Sequence, residues 1–226
     1  FLLKYKNQLS KKSINEVINF LILGMIIGGR LGYIIFYNFE FYLQFPVEIF
    51  KIWNGGMSFH GALVGIIFSI ILYCRKNNYS FLDITDLISL VSPIGIFFGR
   101  IANFVNGELF GRITDSKIGI IFPNGGNLPR HPSQLYEALF EGLILYLILN
   151  SLFFFSKLKY IRGSISGAFL FFYGFFRFFI EYYREPDSQL GFILMEITMG
   201  QILCVIMMFV GLITIKYSFD QNKNEQ

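Results

Sequence analysis

Six long apolar runs constrain the fold of this chain more than any other feature. They cover roughly 17–38, 57–74, 87–106, 135–155, 163–183 and 192–215, and only 15% of the 226 residues are charged. A helix needs about 20 apolar residues to cross the hydrocarbon core of a bilayer. Lipid satisfies no backbone hydrogen bonds, so such runs form helices. We therefore predict an all-α polytopic membrane helix bundle of about six spans. We expect one integral membrane domain, 1–226, with an external loop or cap at 107–134.

The placement of lysine and arginine predicts the orientation of the spans. One set of termini and connections carries more of these residues than the opposite set, and cytoplasmic loops are the richer ones. We therefore expect both termini to face the cytoplasm. The richer set is Lys4, Lys6, Lys11, Lys12, Arg75, Lys76, Lys157, Lys159, Arg162, Lys216 and Lys223, and the poorer set is Lys51, Arg112, Lys117, Arg130 and Arg184.

Glycines recur at four-residue spacing within several spans. Small residues at this spacing let membrane helices approach closely. Ordinary helix packing explains most of them, and a shaped cavity is the functional alternative. The pairs are Gly24, Gly28 and Gly32; Gly61 and Gly65; Gly95 and Gly99; and Gly163 and Gly167.

The segment 99–112 places Arg100, Asn103 and Asn106 at the end of an apolar run. An arginine at the centre of a bilayer costs about 2.5–3.5 kcal/mol on insertion scales, so a partner must compensate it. In the predicted orientation, every ionisable residue that we place within a span lies in its outer half. This pattern predicts one polar cavity open to the outer leaflet. The alternative is that these residues lie at the membrane interface or form internal ion pairs, such as one between Arg177 and Glu181 at i, i+4 spacing. The residues are Arg30, His60, Arg100, Glu137, Glu141, Arg177, Glu181 and Glu196.

The chemistry of these side chains indicates an anionic lipid as the ligand. Guanidinium groups bind phosphate through two parallel hydrogen bonds and keep their charge when desolvated. His60 follows a glycine-rich entry at 54–59 and is a candidate base, although a lone histidine is also compatible with a structural role. The sequence contains no zinc, nucleotide-binding or nucleophile-elbow motif, which favours direct transfer between two bound substrates. We expect no metal, no cofactor and no nucleic-acid partner.

Two other classes of protein share some of these features. A transporter or channel for an anionic solute also has arginines within the membrane, but such proteins favour repeated halves and broken helices at mid-depth. A structural assembly protein is the second alternative, and its arginines should tolerate replacement by alanine.

Several ordered motifs resemble those of the prolipoprotein diacylglyceryl transferase family, bacterial membrane enzymes of lipoprotein maturation. The similarity extends from about Asn15 to Lys216. The motifs are 29–33, 56–61, 99–112, 131–137 and 173–177, followed by Glu181, Arg184, Glu185, Pro186 and Asp187.

The resemblance implies transfer of the diacylglyceryl group from phosphatidylglycerol to the lipobox cysteine of a prolipoprotein, which yields a thioether and glycerol phosphate. It implies a multi-pass protein of the bacterial inner membrane with its active site toward the periplasmic side. It also implies that Arg100 binds phosphatidylglycerol and that His60 and Arg177 are needed for activity. Asn103, Glu108, Gly111, Tyr173 and Glu181 should surround the site.

We hypothesise that Arg100 and Arg177 clamp the phosphate, and we include Arg30 among the substrate-binding residues. His60 or Glu181 would accept the thiol proton, or Glu181 would only orient Arg177. Two departures from the family pattern are expected. The first of seven family spans, with its tyrosine, is absent from this sequence, which begins with Phe1, and the 3–4 connection is shorter.

Overall fold

The computed structural model describes residues 11–185, 192–194 and 197–224 of this chain. Its elements are helices with one short antiparallel hairpin. The helices are α1 (Lys11–Tyr37), α2 (Phe39–Gln44), α3 (Phe59–Asn77), α4 (Phe81–Val105), α5 (Ser133–Phe155), α6 (Ser164–Ile180) and α7 (Met199–Asn224). The strands are β1 (Phe192–Leu194) and β2 (Ile197–Thr198), and 3₁₀ turns occupy Pro46–Phe50, Ile52–Asn54 and Lys157–Tyr160. Glu196, Pro186 and Asp187 lie outside the described residues.

The predicted helical membrane fold is confirmed. Five of the described helices, α1, α3, α4, α5 and α7, are long and apolar enough to span a membrane, and α6 is a shorter apolar helix of 17 residues. All six correspond to the six apolar runs of the sequence. The chain is therefore a multi-pass membrane protein.

Several predicted boundaries were wrong. The last span begins at Met199 rather than at 192, because β1 and β2 form a hairpin before it. α4 begins at Phe81 rather than at 87, and it thus includes the buried carboxylates Asp83 and Asp86. We expected the ionisable residues of each span to lie in its outer half. Because α4 carries Asp83 and Asp86 at one end and Arg100 at the other, this expectation was wrong for α4.

The chain falls into two compact units, whose boundary lies within α4 between Ile84 and Thr85. In the first unit, α1 and α3 pack through the glycines that the sequence singled out. A Cβ at Gly28 would lie 2.4 Å from the carbonyl oxygen of Gly61, and one at Gly65 would lie 2.0 Å from that of Gly24. Close helix packing thus accounts for these glycines. The expectation of one integral membrane domain with a cap at 107–134 stays a prediction.

In the second unit, α4, α5 and α6 surround an apolar core, and α7 packs against α6. This packing brings polar residues of different helices together. The backbone of Gly142 in α5 lies against Phe97 of α4, where a Cβ would come within 2.7 Å of the phenylalanine Cβ. Gly167 of α6 and Gly211 of α7 make a similar close approach. Gly95 and Gly99, in contrast, have no described neighbour within 4 Å of a built Cβ, so they do not mark a close helix contact. The buried core comprises Leu90, Leu145, Leu149, Phe153, Ile165 and Ala168.

The start of α6 is held by Asp86 of α4. The carboxylate of Asp86 accepts hydrogen bonds from the backbone N–H groups of Gly163 (2.8 Å) and Ser166 (2.7 Å) and from the Ser166 hydroxyl (2.8 Å). A carboxylate at a helix N-terminus satisfies free N–H groups and interacts favourably with the helix dipole. Asp86 therefore fixes the helix that carries Tyr173 and Arg177.

Candidate active site

Six charged side chains of the second unit meet in one cluster, which we call the arginine–glutamate cluster. α4 supplies one arginine, α5 two glutamates, α6 one arginine, and the turn after α6 a glutamate and an arginine. The six are Arg100, Glu137, Glu141, Arg177, Glu181 and Arg184.

Glu137 is the centre of the cluster. Its Oε1 accepts hydrogen bonds from Nη1 of Arg177 (3.0 Å) and Nη1 of Arg184 (2.8 Å), and its Oε2 lies 2.8 Å from Nε of Arg100. The side chain is fully buried. A single carboxylate thus pairs with three guanidinium groups from three parts of the chain.

Glu141 lies one helical turn farther along α5. Its Oε1 is 3.3 Å from Nη1 of Arg177, and its Oε2 is 3.7 Å from Nη2 of Arg100. The segment Ala138–Ile144 of α5 is a π-helix, a local widening that occurs often at functional sites. This segment carries Glu141 and directly follows Glu137.

Glu181 completes the cluster from the turn after α6. Its Oε2 lies 3.3 Å from Nε of Arg177 and 3.4 Å from Nε of Arg184. The first of these contacts is the i, i+4 ion pair that the sequence suggested as an alternative to a catalytic role. Glu181 is therefore already paired with arginine in this structure.

The charges of the cluster balance, but some N–H groups of its arginines have no hydrogen-bond partner among the described residues. Three guanidinium groups face three carboxylates, and removing such charges from water costs several kcal/mol per ion unless they pair well. Each arginine keeps one terminal nitrogen that makes no hydrogen bond or ion pair with the described residues: Nη1 of Arg100, Nη2 of Arg177 and Nη2 of Arg184. These side chains are 14–19% exposed, whereas Glu137 and Glu141 are fully buried. The arrangement can therefore present guanidinium donors to an incoming anion.

Tyr173 lies one turn before Arg177 on α6 and interacts electrostatically with Glu141, Arg177 and Arg100. Its ring stacks on Phe169, with centroids 5.7 Å apart and planes inclined by 20°. This stacking holds the phenol beside the cluster.

The loop that follows α4 is organised around Glu108. The side-chain amides of Asn103 (3.0 Å) and Asn106 (3.2 Å) both donate to Oε1 of Glu108, and these hydrogen bonds lower the pKa of the exposed carboxyl. The backbone carbonyl of Glu108 accepts from Nε2 of Gln134 at 2.7 Å. Gln134 is one turn before Glu137 on α5, so the loop is tied to the helix that centres the cluster.

Gly111 joins this loop to the segment that carries Arg184. Its N–H donates to the carbonyl of His131 (2.8 Å), and it forms an isolated bridge with Arg184. A Cβ here would lie 2.3 Å from the carbonyl oxygen of Tyr183. Only glycine permits this approach of three segments, which positions Arg184.

Arg30 lies in the first unit and is 95% buried. Its guanidinium donates to the carbonyls of Ile49 (2.9 Å), Glu48 (2.6 Å), Lys51 (3.2 Å), Gly55 and Gly56 (3.1 Å). All three of its nitrogens are thus used by backbone oxygens. Gly56 has a φ of +78°, a conformation that favours glycine and brings its carbonyl to the arginine.

His60, also in the first unit, is the second residue of α3 and is exposed. Ser58 caps this helix by accepting a hydrogen bond from the N–H of Gly61 at 3.2 Å. The imidazole packs edge-to-face against Phe59, with ring centroids 5.7 Å apart.

The structure brings together Arg100, Arg177, Glu181 and Tyr173 among the residues selected from sequence. From the sequence, Glu137 and Glu141 were expected in the polar cavity without a role, and Arg184 was expected in an external loop. Two available signals pointed to them: the position of both glutamates early in an apolar span, and the place of Arg184 three residues after Glu181.

Comparisons with known proteins identify the family. A family model described as "Prolipoprotein diacylglyceryl transferase" matches residues 2–217. A protein of Ehrlichia canis (strain Jake), named phosphatidylglycerol–prolipoprotein diacylglyceryl transferase, is 54% identical over 216 residues, which are 95% of this chain and 83% of that protein. A protein of Rickettsia felis with the same name is 53% identical over 208 residues, which are 92% of this chain and 80% of that protein. This chain therefore belongs to the prolipoprotein diacylglyceryl transferase family.

Proposed function

We infer that this chain transfers the diacylglyceryl group of phosphatidylglycerol to the thiol of a prolipoprotein lipobox cysteine, the first step of lipoprotein maturation. The family match and the names of relatives at 50–54% identity support this activity. The alternative of a transporter or channel finds no support in these comparisons. The observation that carries the site assignment is the convergence of three arginines on Glu137.

We propose that Arg100 and Arg177 bind the phosphate of phosphatidylglycerol. Both side chains are partly exposed, both are oriented by buried glutamates, and each keeps a terminal nitrogen for a ligand. The leaving phosphate gains negative charge as its ester bond to carbon breaks. Fixed guanidinium groups therefore bind the transition state more strongly than the ground state.

The reaction joins the cysteine sulfur to the sp³ glycerol carbon that carries the phosphate ester. The carbon–oxygen bond to phosphate breaks, and its electron pair leaves with glycerol phosphate. The thiol, with an ordinary pKa near 8.5, must lose its proton to a base before or during the attack.

Two residues are proposed as this base. His60 is exposed at the start of α3, and histidine is the side chain that most often serves as a general base. Glu181 is close to the phosphate-binding arginines, but its contacts with Arg177 and Arg184 favour an orienting role. Measuring the transfer rate of His60→Gln from pH 6 to 9 separates them: a full rate throughout this range removes His60 as the base.

The other predicted site residues are proposed to shape the substrate pocket. Asn103 and Glu108 order the loop after α4, Gly111 positions Arg184, and Tyr173 lines the cluster. Because all described hydrogen bonds of Arg30 go to backbone carbonyls, we propose that it supports substrate binding by holding 48–56 in place.

We propose that the site faces the outer leaflet of the bacterial inner membrane. The excess of lysine and arginine in the termini and in two of the connections supports this orientation. Phosphatidylglycerol and the membrane-inserted signal peptide of a prolipoprotein are both accessible from that leaflet.

A transfer assay tests the activity and the role of Arg100 together. Purified chain is incubated with phosphatidylglycerol labelled in the diacylglyceryl group and with a lipobox peptide, and the labelled thioether product is quantified. Wild type should lipidate the peptide, a cysteine-to-serine peptide should stay unmodified, and Arg100→Ala should lose about hundredfold or more in rate. Equal rates for wild type and Arg100→Ala would contradict the phosphate assignment.

A further inference from the structure

The start of α7 lies directly against the Glu181 carboxylate. Oγ1 of Thr198 is 3.3 Å from Oε1 of Glu181, and the same hydroxyl oxygen accepts the backbone N–H of Gln201, also at 3.3 Å. A hydroxyl has one hydrogen to donate. Because an ionised carboxylate can only accept, the Thr198 hydroxyl donates this hydrogen to Glu181.

Thr198 and Gln201 form a capping box at the beginning of α7. The side-chain oxygen of Gln201 accepts the backbone N–H of Thr198 at 3.0 Å, which completes the reciprocal pair of hydrogen bonds. Both residues are buried. The backbone N–H of Gln201 therefore helps to fix the direction of the Thr198 hydroxyl, and the Gln201 side chain stabilises the first turn of the helix.

Gly200 lets α7 approach Glu181 closely. A Cβ at this position would lie 2.7 Å from Oε1 and 2.9 Å from the carboxyl carbon of Glu181. Any larger residue would displace the carboxylate. The positive end of the α7 dipole also favours an anion at this place.

The two oxygens of Glu181 thus have separate partners. Oε1 faces Thr198 and Gly200 of α7, and Oε2 faces Nε of Arg177 and Nε of Arg184. We propose that Thr198 and Gly200 are positioning residues for Glu181, which in turn orients the two arginines for transfer. This inference rests on the proposed diacylglyceryl transfer, and it assigns a catalytic contribution to residues that touch no substrate.

Five variants of the full chain separate positioning from ordinary helix capping, and one of them is Gly200→Ala. Thr198→Val keeps the shape and removes the hydroxyl, whereas Thr198→Ser restores it. Gln201→Met weakens the same cap but leaves the Thr198 hydroxyl in place. Thr214→Val is the matched control, because Thr214 is a half-buried α7 residue whose hydroxyl bonds only to the backbone of its own helix among the described contacts.

Transfer kinetics and thermal unfolding in detergent are measured for each variant. Thr198→Val should lower kcat by about tenfold or more, the loss expected for one hydrogen bond to a charged group, with a smaller change in KM for phosphatidylglycerol. Thr198→Ser and Thr214→Val should stay near wild type. Gln201→Met should lower the melting temperature as Thr198→Val does but retain most of kcat. Gly200→Ala should lower kcat although the cap is intact.

Parallel losses of kcat in Thr198→Val and Gln201→Met would show a purely structural cap and overturn the inference. So would a wild-type kcat in Thr198→Val or in Gly200→Ala. If the wild-type chain has no transfer activity, both the proposed function and this inference are refuted. If the wild-type chain is active and Thr198→Val has the same kcat, only the inference is refuted.

Discussion

Replacing Glu137 by glutamine should damage this protein more than the same change at Glu141. Glu137→Gln keeps the shape of the side chain but removes the charge that faces Arg177 at 3.0 Å, Arg184 at 2.8 Å and Arg100 at 2.8 Å. Removing one partner from a buried ion pair costs about 3–5 kcal/mol, because the remaining charges stay buried. Three arginines would then face two carboxylates.

Glu141→Gln is the matched control on the same helix. Glu141 is equally buried, but its contacts are longer, 3.3 Å to Arg177 and 3.7 Å to Arg100. We expect a smaller loss of about 1.5–3 kcal/mol, the range for hydrogen bonds to charged groups. Because 1 kcal/mol shifts the melting temperature of a domain of this size by about 2–4 °C, Glu137→Gln should melt about 6–20 °C below wild type.

Thermal unfolding of the purified proteins in detergent, followed by far-UV circular dichroism, measures the difference, and the transfer assay is run on the same samples. We expect Glu137→Gln to lose about hundredfold or more in transfer rate, the equivalent of about 3 kcal/mol. Equal melting temperatures for the two variants, together with a wild-type rate in Glu137→Gln, would refute Glu137 as the centre of the cluster.

Four further outcomes are expected. Arg177→Lys should be poorly active in the transfer assay, because an ammonium does not replace the planar guanidinium fork; a wild-type rate would argue against the clamp. Gly111→Ala should lower the transfer rate and the melting temperature, because its Cβ would clash with the Tyr183 carbonyl oxygen at 2.3 Å. Unchanged values would show that the loop can move to accommodate the Cβ without loss of stability or activity. Asp86→Ala should destabilise by about 1–2 kcal/mol through loss of the α6 cap, with Asp86→Asn retaining part of this stability in thermal unfolding. Burial lowers the pKa of His131, so on acidification the unfolded chain takes up this proton before the folded chain does. The free energy of unfolding should therefore fall as the pH drops below about 6.5. In thermal unfolding between pH 7 and 5, a His131→Asn variant should show a weaker pH dependence of the melting temperature.

The sequence predicted the helices well, because lipid leaves few alternatives for long apolar runs. It predicted their ends less well. Residues 192–194 and 197–198 belong to an apolar run but form the strands β1 and β2, and the polar start at Asp83 and Asp86 concealed the first turns of α4. Hydropathy measures how favourably a residue transfers into lipid. The starts of α4 and α7 depend instead on helix capping and on contacts with α6 and the turn that follows it.

The sequence singled out Arg100, Arg177 and Glu181, which the structure brings into one cluster, but it did not specify their contacts. Intramembrane arginines were recognised because each one is costly unless it is paired. Their partners depend on helix rotation and tertiary packing, which one sequence does not specify. Glu137 as a shared partner of three arginines, and the apposition of Gly200 and Glu181, required coordinates.

Determining the structure of this chain with bound phosphatidylglycerol tests the phosphate-binding role of Arg100 and Arg177 most directly. We expect a phosphate group between these two side chains, with guanidinium nitrogens about 2.7–2.9 Å from phosphate oxygens, as in charge-assisted hydrogen bonds. A phosphate bound away from both arginines, in a chain that is active in transfer, would contradict this role.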